Sequence, residues 1–251
     1  MKVVCHDRYR EVYSSDPASA PGRIESILEE LHGRFEFVEP KPASEEDVLL
    51  VHNKSHIDSV KAYPLIYEIA LLAAGGSIRT AEIAMQSEPV FGLIRPPGHH
   101  ASRGSSWGFC YFNNVAVAVE KLRQESNIKR AIIVDVDLHY GDGTANIFAS
   151  SSNVAYFHPD GANRQAYLNE LSSFLSAKHE TFDILAVSAG FDRHEQDWGG
   201  MLKTEDYYDI GRIVKEFAEN SCEGKRFAVL EGGYNHSVLG KNVKALLDGM
   251  T

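Results

Sequence analysis

The sequence predicts an α/β fold in one domain, residues 1–251, with a parallel central sheet flanked by helices. The first indication is that short, continuous apolar runs alternate with longer segments of helical period. Continuous β-branched runs are typical of strands buried on both faces, as in parallel sheets covered by helices. The second is composition, because 43% hydrophobic and 10% aromatic residues can fill a large core and no compositional break divides the chain.

The predicted strands and helices follow one another along the whole chain. KVVC begins the series, two helical segments precede VFGLI, and one helical segment precedes each later apolar run. The predicted strands cover 2–5, 90–94, 131–137, 154–158, 183–190 and 227–233. The predicted helices cover 21–33, 64–86, 113–126, 144–151, 164–179 and 204–220. This alternation of strand and helix indicates parallel connections throughout.

Charge and cysteine content restrict the partners and the compartment. The formal net charge of −10 argues against nucleic acid or an anionic membrane as the main partner and favours cationic substrates. The three cysteines form no C-x-x-C pair, so neither a disulfide framework nor a thiolate zinc site is indicated. No apolar stretch approaches about 18 residues, and the N-terminus lacks the apolar region of a signal peptide. We therefore expect a cytoplasmic protein.

Ionisable side chains are concentrated where four of the predicted strands end. In open parallel sheets, sites form outside the carboxyl ends of the strands. The residues at these ends are His99, His100, Asp135, Asp137, His139, Asp192, Glu231 and Tyr234. The sequence therefore predicts a functional site at this edge of the sheet.

The paired histidines of RPPGHH follow the strand VFGLI directly. Neighbouring side chains of a regular strand point to opposite faces, so two consecutive imidazoles can serve one site only on irregular backbone. Pro96, Pro97 and Gly98 favour such backbone, because proline restricts φ and glycine permits positive φ.

The stretch DVDLHYGDG indicates a metal site. Its alternating period places Asp135, Asp137 and His139 on one face of an emerging strand, so a carboxylate and an imidazole can reach one ion. Asp192 leaves its own strand in the same way and is the candidate third ligand, which leaves a position open for water or substrate. Asp142, between two glycines, could belong to the site or could only cap the next helix.

Two aspartates and one histidine leave the site of a bound dication nearly neutral, so the ion acidifies its water less than it would among three histidines. A separate base is then needed to take the proton of that water. Histidine suits this role, and a carboxylate on its other ring nitrogen orients it. Asp135 and Asp142 are available as such partners, so one imidazole would shuttle protons and the other would give electrostatic support. Tyr234 could donate its phenol O–H to a developing oxyanion, or it could be a core tyrosine at a helix start.

Five motifs, in order, resemble those of the histone deacetylase family: RPPGHHA, GFCYFNN, DVDLHYGDGT, SAGFD and LEGGYN. The last is similar to the class II and acetylpolyamine branch. The resemblance implies the arginase/deacetylase fold, with a parallel sheet of about eight strands. It also implies metal-dependent removal of an acyl group, with acetyl as the expected one, from acetyl-lysine, an acetylpolyamine or a small N-acyl amine. Zinc is the implied metal, although Fe²⁺, Co²⁺ and Mn²⁺ also accept these ligands.

The resemblance further implies roles for individual residues. The implied zinc ligands are Asp137, His139 and Asp192. The implied catalytic residues are His100 as general base and acid with Asp142 as its partner, His99 with Asp135 as electrostatic support, and Tyr234 as donor to the oxyanion. The implied substrate-binding residues are Gly108 and Phe109 in the tunnel wall, Gly232 at a close backbone approach to the substrate, and Arg23 near the inner cavity. Trp198 is a further candidate for substrate binding at the mouth, although it departs from the family pattern.

Two stretches depart from the family pattern. Residues 154–169 are shorter than the usual segment, which carries a serine of a monovalent-cation site and an aromatic tunnel wall. A structural monovalent cation near Asp135, Asp137 and His139 is therefore left open, as is the second wall. Trp198 stands where proline is usual and could close the tunnel from its own chain or against a neighbouring subunit, so a homo-oligomer is also left open.

The same residues allow two other functions, and a second pair of histidines resembles a metal site. An arginase-type ureohydrolase shares the fold but needs further carboxylate and histidine ligands for a pair of manganese ions. A non-catalytic module that binds acyl-lysine would lack a ligand or the base, and none is missing. His52 and His56 have the spacing of a helical zinc pair, but Asn53 stands where H-E-x-x-H needs glutamate, so we expect them to be structural.

Overall fold

Seven strands form one entirely parallel sheet in the computed structural model, which describes residues 1–251. Across the sheet the strand order is β2-β1-β3-β7-β6-β4-β5. The strands are β1 (Lys2–Val4), β2 (Glu36–Val38), β3 (Val90–Gly92), β4 (Ala131–Asp135), β5 (Val154–Phe157), β6 (Ile184–Ala189) and β7 (Arg226–Leu230). The predicted α/β class and parallel sheet are confirmed, with seven strands where about eight were expected.

Nine α-helices connect and cover these strands. They are α1 (Arg23–Leu31), α2 (Glu45–Leu49), α3 (Lys54–Lys61), α4 (Pro64–Ala84), α5 (Asn114–Gln124), α6 (Asp142–Phe148), α7 (Arg164–Ser176), α8 (Thr204–Ser221) and α9 (His236–Met250). Polar side chains mark several helix starts: Asn113 accepts from the backbone N–H of Ala116, and Asn163 accepts from that of Ala166. None of the helices is both long enough and apolar enough to cross a membrane.

The central strands are the continuous apolar runs of the sequence. Every residue of β3, β4, β6 and β7 is buried, as expected for strands covered by helices on both faces. The sequence did not predict β2, because this edge strand has only three residues and two of them are exposed. The core extends through a single cluster of 65 buried hydrophobic residues.

The order of the strands determines where the site lies. β3, β7, β6 and β4 are consecutive neighbours, so their carboxyl ends meet at one edge of the sheet. The predicted strands 131–137, 183–190 and 227–233 are longer than the observed ones, which end at Asp135, Ala189 and Leu230. The residues beyond these ends leave the sheet as loops, and these loops carry the ionisable side chains.

Candidate active site

Asp137, His139 and Asp192 bring their side chains together just beyond β4 and β6, with ligand atoms all within 4.8 Å of one another. Nδ1 of His139 lies 3.1 Å from Oδ1 of Asp137 and 3.1 Å from Oδ2 of Asp192. Both carboxylates are buried, whereas 37% of the imidazole is exposed. The cluster is therefore open to the pocket on the side of His139.

The donor atoms of this cluster suit a divalent cation. Asp192 accepts a hydrogen bond from the N–H of Leu138 at Oδ1, but its buried Oδ2 accepts none. A buried carboxylate oxygen without a donor is costly unless a cation lies beside it. Two carboxylates and one imidazole are ligands that zinc takes, and three protein ligands leave one position free. These residues therefore fit the metal that the sequence implied.

Protons compete with a cation for the same atoms. The hydrogen bond of His139 with Asp137, together with the carboxylate of Asp192 3.1 Å from the same nitrogen, raises the pKa of this imidazole to about 10. Burial, together with the charge of Asp137, raises the pKa of Asp192 to about 6. A dication that binds here displaces the proton of His139, so binding is coupled to proton release.

Gly232 lies against the two carboxylates of the cluster. Its N–H donates to Oδ2 of Asp137 at 2.8 Å. A Cβ atom at this position would come within 2.5 Å of that oxygen and 2.9 Å of Oδ2 of Asp192. The structure thus places the backbone of Gly232 against the candidate metal ligands, and its close approach to the substrate stays a prediction.

The paired histidines each face a carboxylate through Nδ1. Nδ1 of His99 lies 3.0 Å from Oδ2 of Asp135, and Nδ1 of His100 lies 2.7 Å from Oδ1 of Asp142. Because a carboxylate can only accept, each Nδ1 carries the hydrogen, and Nε2 of a neutral His100 is left as an acceptor. The two rings lie 4.0 Å apart and are almost completely buried. Asp142 thus pairs with His100, although it also opens α6.

The electrostatic environment keeps His100 suited to accept a proton. Burial lowers the pKa of His100, and the nearby charge of His99 lowers it further. The opposing contribution comes from Asp142, which accepts the hydrogen bond of the same ring. A base must be neutral before it can accept a proton, so a lowered pKa extends the pH range in which His100 can act.

Two further side chains, those of Glu231 and Trp107, hold the histidine pair in place. Oε2 of Glu231, directly after β7, accepts from the backbone N–H of Gly98 at 2.6 Å and of His99 at 3.2 Å. Nε1 of Trp107 donates to both oxygens of Asp142 at 3.0 and 3.1 Å. The sequence placed Glu231 at this edge by its position after a strand but assigned it no role, whereas no local pattern connects Trp107 with Asp142.

Aromatic side chains form most of the entrance to the cluster. A cavity of about 120 Å³ is lined by Pro97, His99, His100, Trp107, Gly108, Phe109, His139, Trp198 and Tyr234. Trp198 stacks on Tyr234 with ring centroids 4.1 Å apart, and Phe109 meets the same ring edge-on at 6.0 Å. Trp198 therefore lines the pocket from its own chain, and Phe109 lies in the pocket wall as the sequence implied.

Tyr234 and Gly108 are both held close to the histidines and the metal cluster. Burial raises the pKa of Tyr234 far above its usual range, so its phenol remains a hydrogen-bond donor. Its backbone N–H donates to Oδ2 of Asp197 at 2.8 Å. Gly108 has φ +58°, and a Cβ atom there would approach Cδ2 of His100 to 2.5 Å. This position requires glycine both for its backbone conformation and for the contact with the imidazole.

Arg23, at the start of α1, is fully buried behind the site. Its Nε donates to the carbonyl of Gly233 at 2.8 Å, and its Nη2 donates to the carbonyl of Glu231. Its guanidinium carbon lies 5.5 Å from the centre of the Tyr234 ring. Arg23 thus supports the turn that carries Tyr234.

His52 and His56 anchor the loop that carries Trp107 and Phe109. Nδ1 of His52 lies 2.8 Å from the carbonyl of Ser102, and its Nε2 accepts from the N–H of Asn113. Nε2 of His56 lies 2.7 Å from the carbonyl of Tyr111. Both imidazoles thus use their nitrogens on the backbone of this loop, in agreement with the structural role that we expected.

A second group of potential ligands, His99, Cys110 and Glu231, lies deeper in the core. Burial raises the pKa of the Cys110 thiol well above its usual range and that of Glu231 to about 7. His99 already uses Nδ1 on Asp135, and Glu231 uses Oε2 on two backbone amides. We therefore interpret this group as support for the histidine loop and not as the second metal site of a ureohydrolase.

Comparisons by family model, by sequence and by structure all show similarity to deacetylases. A family model described as histone deacetylase domain matches residues 17–167 and 157–250. The chain is 31% identical to a probable deacetylase of Methanothermobacter thermautotrophicus, covering 91% of this chain and 84% of that protein. It is 29% identical to the polyamine deacetylase HDAC10 of Danio rerio, covering 94% of this chain and 45% of that protein. The crystal structure of the HDA15 HD domain superposes with a TM-score of 0.82 at 24% identity, covering 98% and 88% of the two chains, which supports the fold.

Proposed function

Because the chain belongs to the histone deacetylase family, we propose that it is a zinc-dependent deacylase whose single catalytic domain spans residues 1–251. Membership in this family makes it a hydrolase of acyl amides in general. The proposed reaction removes an acetyl group from an amine such as acetyl-lysine, an acetylpolyamine or a small N-acyl amine. The proposed zinc ligands are Asp137, His139 and Asp192.

One observation carries the proposal: three different chemical functions meet in one pocket. The candidate zinc ligand His139, the imidazole of His100 and the ring of Tyr234 all line the same cavity of about 120 Å³. The His100 and His139 rings are 5.9 Å apart. A cation site, a base with its own carboxylate and a phenol donor are together what hydrolysis of an amide requires.

The side chains of the pocket have distinct tasks in the proposed mechanism. Zinc, when bound, would polarise the acyl carbonyl and make a water molecule more acidic. His100 accepts the proton of the attacking water at Nε2, while Asp142 holds Nδ1–H and stabilises the resulting imidazolium. The same Nε2 then returns the proton to the nitrogen of the departing amine.

Tyr234 and His99 complete the proposed mechanism. The O–H of Tyr234 donates to the carbonyl oxygen as negative charge develops there in the transition state. His99, held by Asp135, lies 4.0 Å from the ring of His100 and places a further N–H-bearing ring beside the reacting groups. Asp135 is itself fixed by the phenol of Tyr156, which donates to its Oδ2 at 3.0 Å.

The walls of the pocket favour a narrow apolar stem with a cationic carrier. Trp107, Phe109 and Trp198 provide aromatic surface against which a methylene chain can be buried. Trp107 and Trp198 are each more than half exposed, so the mouth is lined by aromatic faces that also attract cations. The net charge of −10 works in the same direction. Acetylated lysine and acetylated polyamines share these features.

A hydrolysis panel tests the proposal. The protein, loaded separately with zinc, Fe²⁺, Co²⁺ or Mn²⁺, is assayed on acetyl-lysine peptides, acetylpolyamines and small N-acetyl amines, with Asp192→Asn as the control that lacks a ligand. We expect one metal ion per chain and release of acetate in the wild type alone. Two tightly bound ions per chain without release of acetate would favour a ureohydrolase. Binding of acetyl-lysine without turnover under every metal would indicate a binding module.

A further inference from the structure

Arg193 follows the proposed zinc ligand Asp192 and is buried, with only 5% of its surface exposed. Its Nη2 lies 3.0 Å from the carbonyl oxygen of Leu138 and 3.3 Å from that of Asp137. The same nitrogen lies 3.0 Å from Nε2 of His158 and 3.4 Å from the carbonyl oxygen of Pro159. An –NH₂ group has two hydrogens and cannot direct linear bonds to four acceptors. Nη2 is therefore surrounded by three carbonyl oxygens and one imidazole nitrogen, all of them neutral acceptors. A small bound cation would be surrounded by acceptors in the same way.

The guanidinium of Arg193 also contacts Tyr167, whose phenol binds the same loop. Its carbon lies 4.9 Å from the centre of the Tyr167 ring, within the range of a cation–π contact. The phenol of Tyr167 donates to the carbonyl of Val136 at 3.3 Å. Three successive carbonyls, those of residues 136–138, are thus satisfied by two side chains. Burial of this charge is tolerable only where such acceptors compensate it.

We propose that Arg193 is a built-in monovalent cation that positions the zinc-binding loop, so that this chain does not use a bound K⁺ or Na⁺ there. The carbonyl oxygens of Asp137 and Leu138, which could otherwise ligate such an ion, already face the guanidinium. The short segment after β5 supplies two more acceptors to the same nitrogen, through His158 and Pro159. Of the three residues near which the sequence left a monovalent-cation site open, Asp137 thus has its carbonyl oxygen turned to the guanidinium.

The proposal makes Arg193 a positioning residue, which acts on the metal ligands and not on the substrate. Its side chain contacts the carbonyls of Asp137 and Leu138, directly before the ligand His139. Its own backbone directly follows the ligand Asp192, so it connects the two loops that carry the ligands. Loss of the cation frees the carbonyls of the 137–138 loop and leaves a space that a hydrated or partly dehydrated K⁺ can enter. Contacts that hold metal ligands in position typically change metal affinity by about 10–100-fold.

The test measures zinc affinity with a chromophoric chelator, as KCl replaces tetramethylammonium chloride at constant ionic strength. The role of Arg193 rests on the proposed zinc site. A wild type that binds no zinc would refute the zinc site and not the role of Arg193. For the wild type we expect less than about a twofold change in zinc Kd up to about 0.2 M K⁺. Arg193→Met should bind zinc at least about tenfold more weakly, with much of the loss restored by K⁺.

Arg226→Met is the matched control, because Arg226 is also buried and donates only to backbone carbonyls, those of Met250 and Gly224, far from the site. It should unfold at lower temperature without any K⁺-dependent zinc affinity. Arg193→Lys keeps a charge and should show little response to K⁺, and it serves if Arg193→Met fails to fold.

Three results would overturn the proposal. The first is a wild-type zinc affinity that rises about tenfold or more with K⁺. The second is a zinc affinity of Arg193→Met equal to that of Arg226→Met. The third is a loss in Arg193→Met that K⁺ does not restore and that Arg193→Lys shares, because contact geometry and not charge would then be responsible.

Discussion

Trp107 lies over the imidazole of His100, with ring centroids 3.9 Å apart and planes inclined by 33°. The indole N–H of the same residue donates to Asp142, whose Oδ1 receives Nδ1–H of His100. One side chain thus covers the proposed base and orients its carboxylate. Because burial is the main cause that lowers the pKa of His100, the cover by Trp107 contributes to the pH range in which this base is neutral.

Replacement of Trp107 should therefore change the pH profile. Trp107→Ala exposes the imidazole, so the pKa of His100 should return towards its ordinary value and the acidic limb of kcat/KM should move to higher pH. Trp107→Phe keeps the ring but loses the N–H donor, so kcat should fall by about three- to tenfold, about 1 kcal/mol for a partly exposed hydrogen bond, with a smaller shift of the limb. An acidic limb that is the same in all three proteins would contradict the cover described here.

His100→Ala should abolish most turnover while zinc stays bound. General acid–base catalysis contributes about 10²–10⁴-fold, so kcat should fall by at least this order. His139→Ala, a proposed ligand within 5.9 Å of the same ring, should instead lose the metal. Kinetics and metal analysis of the two purified variants distinguish the roles. Near-full activity of His100→Ala would remove it from the mechanism.

Tyr234→Phe should lower kcat and leave folding and zinc content unchanged. The substitution removes only the phenol O–H, while the contacts of the ring with Trp198 and Phe109 persist. Loss of a donor to a developing oxyanion costs on the order of 10²-fold or more. Trp198→Phe is the control, because it alters the same stack but keeps the phenol, and it should affect KM more than kcat. A Tyr234→Phe enzyme with altered KM alone would make this tyrosine a binding residue.

Zinc affinity should rise with pH. The carboxylates of Asp137 and Asp192 raise the pKa of His139 to about 10, so this imidazole is protonated at neutral pH before the metal binds. Zinc must displace that proton, so the apparent affinity should increase by up to about tenfold per pH unit between about pH 6 and 8. Calorimetric titrations in buffers of different ionisation enthalpy would measure the proton released. An affinity independent of pH, with no proton release, would show that His139 binds zinc without giving up a proton.

The class of the fold and the chemistry at its edge are determined by local features of the sequence. Apolar runs such as 131–134 are buried strands because their composition leaves no polar face to turn towards water. The residues after a parallel strand emerge at its carboxyl end, so Asp137, His139 and Asp192 could be assigned to one edge before their contacts were known. Their roles as zinc ligands are still proposals that the experiments above address.

The tertiary structure alone decided which side chains touch one another. Trp107 reaches Asp142 because His52 and His56 hold its loop from a distant part of the chain. Arg193 meets Leu138 because β6 lies beside β4 in the sheet. Periodicity and propensity act over a few residues, whereas these contacts join positions that are 35 to 55 apart in the sequence and depend on strand order. For this reason the sequence could indicate the metal site and the histidine pair, but neither the cover of the base nor the arginine beneath the loop.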